Sequence, residues 1–141
     1  MATTTAAITI SSADMMDNAI NISNSSTLNT AGTSTGITET TGLGRVKLAT
    51  TTALDIITYA NIVGMGAADL AHKVYIKNTG SSTTQSVKIL IGDTSGTPVA
   101  LGNLYGGDWM FFPWAAGSNK DIVADPSTTD EVILEYMVFF E

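Results

Sequence analysis

The sequence predicts an all-β fold, an antiparallel β-sandwich of jelly-roll-like kind carried behind an extended N-terminal arm. Three observations predict it. Thr and Ser make up roughly a quarter of the 141 residues, and charged residues only 13% against a typical ~25%. Thr favours strands, while Ser and Gly favour turns. From Arg45 onward, short runs of alternating apolar residues recur about every 8–12 residues, separated by Gly, Asp or Pro turns, as in sandwiches and barrels.

The N-terminal segment, residues 1–42, is thin in apolar groups. It carries two period-2 pairs, Ile8 with Ile10 and Ile20 with Ile22, which predict brief strands with one face to bury. Met15 and Met16 lie between them. So few apolar groups do not offset an ordering cost of ~1–2 kcal/mol per residue. A loose terminus is one reading. The paired isoleucines favour the other, an arm that orders against a neighbouring chain.

Residues 43–141 are expected to form the sandwich. Arg45-Val46-Lys47-Leu48 alternates, and Ala53–Thr58 gives a short apolar run, with a helical turn open as an option between Thr52 and Ile62. Asn61–Asp69 reads as a glycine-bent loop. Next, Leu70, His72, Val74 and Ile76 alternate with Lys73, Tyr75 and Lys77, and Val87, Ile89 and Ile91 share a face. In the aromatic run Trp109–Trp114, Trp109 and Phe111 are expected in the core, with Phe112 and Trp114 on the opposite face. The final strand, Glu131–Glu141, has Val132, Leu134, Tyr136, Val138 and Phe140 on one side. Its other side carries Ile133, Met137 and Phe139 beside glutamates. A sheet with one wet face alternates more strictly, so the second face is expected to be covered as well, by another subunit or by a loop or arm of the same chain.

Composition excludes several functions. With no cysteine there is no disulfide, thiolate metal site or cysteine nucleophile, and one histidine leaves little for a metal centre. No metal and no other cofactor is expected. Net charge −7 and six scattered Lys and Arg argue against nucleic acid as a partner. No apolar stretch approaches the ~18–20 residues of a membrane span. Gly64-Met65-Gly66 resembles a phosphate loop, but Asp69 at the third glycine position would repel a phosphate. No Gly-x-Ser-x-Gly elbow accompanies His72, so no enzyme is expected.

Three segments, Tyr75–Gly80, Leu104–Trp114 and Pro126–Glu141, resemble small virion proteins of tailed phages, nearest to those infecting marine cyanobacteria. The resemblance implies a structural protein of a virus particle and supplies no catalytic residue. A short, acidic, cysteine-free β protein with an arm looks most like a head decoration (cement) protein. Such a protein sits on the capsid surface, with the major capsid protein and its own copies, as a homotrimer, for partners. The candidate interface residues are then Ile8, Ile10, Ile20, Ile22, Phe112, Trp114, Ile133, Met137 and Phe139. The alternative expectation is a tail or fibre component that binds a host surface glycan.

Overall fold

A computed structural model describes residues 3–15, 19–66 and 70–141. Met16 and Asp69, singled out above, lie outside them. The fold is all-β, with antiparallel sheets packed together as a sandwich. The chain divides into two compact units, Met1–Thr38 and Glu39–Glu141.

The first unit is built on a hairpin of β1 (Thr5–Ser12) and β2 (Ile20–Thr27), in register from Thr5 opposite Thr27 to Ser12 opposite Ile20. Beyond it the Leu28 N–H donates to the Thr4 carbonyl, and the Ile37 N–H donates to the Leu28 carbonyl. Leu28 and Ile37 are both buried.

The second unit holds two sheets. One runs β5 (Leu54–Ile57), β10 (Ile122–Pro126), β7 (Ser86–Ile91), β8 (Val99–Tyr105). The other is organised by β11 (Val132–Phe140), which pairs on one side with β6 (Lys73–Asn78), itself paired with β9 (Trp109–Pro113). Along its other side lie β4 (Gly44–Leu48) and then β3 (Glu39–Thr40). Thr41 joins these two short strands, its N–H donating to the Val138 carbonyl and its hydroxyl accepting from the Val138 N–H. The sequence reading ends the arm at residue 42, whereas Glu39–Thr40 is already a strand of this sheet. Where a helical turn was open, β5 and a 3-10 turn at Tyr59–Asn61 are found.

The core lies between the sheets. Val74 and Ile76 of β6, Val87 and Ile89 of β7, Ile122 and Ala124 of β10, and Leu134 and Val138 of β11 are fully enclosed. His72 is enclosed too, its Nδ1 accepting from the Glu141 N–H at 3.4 Å. Asn78 ties the sheets together at one end. Its side chain donates to the Leu104 carbonyl at 3.1 Å and accepts from the Gly80 N–H at 3.0 Å. Beside it, the β8–β9 turn needs Gly106: a Cβ there would stand 2.5 Å from the Ser82 nitrogen, a backbone atom that cannot swing away.

One expectation is inverted. Trp114 is 1% exposed, its indole N–H donating to the Lys120 carbonyl at 2.7 Å, and Phe112 packs against the core. Trp109 and Phe111 occupy the outer face, Trp109 at 48% exposure. The cause is register. Phe112 lies opposite Val74 and Met110 opposite Ile76, so the central strand's buried residues set the phase of β9. The run is aromatic on both faces, so local sequence does not decide it.

Candidate interaction face

Residues directly opposite one another in an antiparallel pair point to the same face. On the outer side of the β11 sheet this gives three cross-strand rows. The first is Arg45, Glu135, Lys77 and Trp109; the next is Met137, Tyr75 and Phe111; the last is Thr40, Phe139, Lys73 and Pro113. Ile133, opposite Lys47, completes the face beyond the first row.

The apolar side chains of these rows are neighbours across the strands. Trp109 and Ile133 are exposed, while Tyr75, Phe111, Met137 and Phe139 are partly buried. Phe111 and Phe139 meet edge to face, ring centres 6.3 Å apart, a contact worth ~0.5–1.5 kcal/mol beyond area burial. Apolar side chains gathered on a sheet's outer side make this the candidate interaction face.

Four of the chain's six cations stand here, Arg45, Lys47, Lys73 and Lys77, although they are scattered in sequence. Arg45 donates from Nε and Nη2 to one Glu135 oxygen, at 3.1 and 2.8 Å, and Lys47 pairs with Glu131. Exposed pairs of this kind contribute ~1 kcal/mol or less, so they tune the surface more than they hold the fold. Lys73 is held to the Ala71 carbonyl, and desolvation lowers its pKa despite the nearby Glu141. Desolvation, with Glu135 adding to it, raises that of Tyr75. Lys77 has no ion-pair partner among the described residues.

The sequence-predicted residues therefore separate into groups. Ile133, Met137 and Phe139 share this face; Phe112 and Trp114 belong to the interior. Ile8, Ile10, Ile20 and Ile22 come together on one side of the hairpin, where Ile10 faces Ile22 directly. Ile10 and Ile22 are 50% and 53% exposed, and the hairpin's other side is Thr, Ser, Ala and Asn. Trp109, Phe111, Tyr75 and the cations are the members that sequence reasoning missed. Their signal was the i, i+2 spacing of Arg45 with Lys47, and of Lys73 and Tyr75 with Lys77.

A cleft of about 350 Å³ opens elsewhere in the unit, lined by Thr41, Asp55, Asn61 and Tyr136 among others. Its one carboxylate, Asp55, is engaged by the backbone N–H and the hydroxyl of Thr94. Among the described residues no group of three His, Asp or Glu could hold a metal ion, and no helix is long and apolar enough to cross a membrane. Comparison with known proteins gives no match to a family model and none to a curated protein sequence.

Proposed function

We propose that the protein is a non-enzymatic structural subunit of a tailed-phage particle, a capsid decoration (cement) protein. It binds the major capsid protein on the outer capsid surface as a homotrimer and stabilises the shell through protein–protein contacts. The observation that carries this reading is the pair of apolar surfaces outside the core, the isoleucine side of the hairpin and the outer side of the β11 sheet, each taken within its own unit. A two-stranded hairpin is marginal by itself in water, so an apolar side left open on one favours a partner surface. The phage setting rests on the resemblance of Tyr75–Gly80, Leu104–Trp114 and Pro126–Glu141 to small virion proteins.

The test is the copy number in purified particles relative to the major capsid protein. A ratio near one, or a simple fraction of it, supports the capsid role, and absence from particles ends it. A tail or fibre component that binds glycan is the second reading, favoured by exposed Trp109 with Lys77 directly opposite it. It predicts few copies per particle, and a Trp109→Ala variant that assembles normally while losing adsorption to cells.

A further inference from the structure

The charges of the second unit are unevenly divided. On and around the outer side of the β11 sheet, Arg45, Lys47, Lys73 and Lys77 meet three carboxylates, Glu131, Glu135 and Glu141. Among the described residues, the remainder of Glu39–Glu141 has only Lys88 and Lys120 against seven carboxylates. Two copies that meet through any other part of this unit bring acidic surfaces together, and like charges repel. Meeting through this side, they bring together surfaces near neutrality.

From this we infer that the outer side of the β11 sheet is where the chain binds second copies of itself, with Trp109, Phe111, Met137 and Phe139 as anchors. The charge order suits it. In the row Arg45–Glu135–Lys77, a carboxylate stands between two cations, so a facing copy shifted by one strand sets each Glu135 beside a partner cation. Strands lie ~4.7–4.9 Å apart, a shift small enough to keep the aromatic rows in contact. The anchors are of the types enriched at the centres of protein interfaces.

Another exposed apolar feature of the unit is β8, an edge strand presenting Val99, Leu101 and Tyr105, while Leu43, Leu54 and Val63 are exposed outside it. Asp93 precedes it and Asp108 follows it, with no cation between, so it belongs to the acidic remainder.

This inference deepens the proposed structural role and borrows only its setting from it. The test uses purified full-length protein and no particles, so its failure is distinct from a failure of the capsid assignment. Sedimentation velocity from about 1 to about 100 µM, the range of moderate self-association, is expected to show a multimer. Met137→Glu, at the centre of the face, and Trp109→Ala, at its edge, are expected to weaken association at least tenfold. Both point away from the core, and retained cooperative melting verifies that each folds. Leu101→Glu on β8 is expected to leave association unchanged. A wild-type monomer across the range would overturn the inference, as would folded Met137→Glu and Trp109→Ala proteins that associate like wild type. Dissociation by Leu101→Glu would assign the contact to β8 instead.

Discussion

A buried amide with each polar group engaged is hard to replace, and Asn78 has that arrangement. Its side chain bonds Leu104 and Gly80, while its backbone accepts from the Gly107 N–H and donates to the Asp108 carbonyl. Asn78→Ala leaves the buried Leu104 carbonyl without this partner and gives up the bond from the Gly80 N–H, so a loss of about 1–3 kcal/mol is expected in urea unfolding. Asp121 presents the opposite situation, a carboxylate burdened by its position. Desolvation raises its pKa above the ordinary 3.8; a hydrogen bond from the Tyr59 N–H opposes this, and Asp55 and Asp93 add to it. The folded state therefore binds this proton more tightly than the unfolded chain. The stability it contributes is fully present below pH 3.8 and is lost as pH rises through the raised folded value. Asp121→Asn keeps an acceptor for the Tyr59 N–H and removes the ionisation. Unfolding measured across a pH series is expected to show the variant gaining on wild type as pH rises above 3.8, then running parallel. Neither role was legible in sequence. In the sequence Asp121 is one acid among thirteen, and only the fold encloses it.

At the scale of elements, period-2 spacing was a sound guide wherever one side of a strand was plainly apolar. β6, β7 and β11 bury most of the residues whose alternation marks them, with Ile91 and Tyr136 only partly buried, and Ile8, Ile10, Ile20 and Ile22 share one side of a hairpin. The guide failed in β9, where both sides are aromatic and the phase comes from β6, more than 30 residues earlier. The end of the first unit was also hidden, because Glu39-Thr40-Thr41 is polar and becomes a strand only through β11. Two truncations separate these contributions. Removing residues 1–38 is expected to leave the thermal melting of the second unit nearly unchanged. Removing 1–42 deletes the β3 pairing and both Thr41 bonds to Val138, and is expected to cost about 1–3 kcal/mol. Equal melting temperatures for the two proteins would show that β3 adds nothing to the sheet. If the hairpin holds the particle, both truncations also lose capsid binding.

For the whole molecule, the sequence shows how much charge there is but not where it falls. Net charge −7 was plain, and so was an all-β sandwich. That four of six cations share one side was not, since Arg45 and Lys47 reach Lys73 and Lys77 only across β11, the last strand of the chain. This distribution sets the sign of a salt effect. In any assembly of copies, the acidic remainders repel over distances comparable to the Debye length of ~10 Å at 0.1 M. The ion pairs within the contact are short and weaken less. Raising NaCl from about 0.02 to about 0.5 M therefore screens mainly the repulsion, and apolar burial is expected to dominate what is left. Self-association of the full-length protein is expected to strengthen over that range in sedimentation equilibrium. Weakening with salt would mean that cross-copy ion pairs outweigh the apolar anchors, and Glu135→Gln would then reduce association more than Met137→Glu.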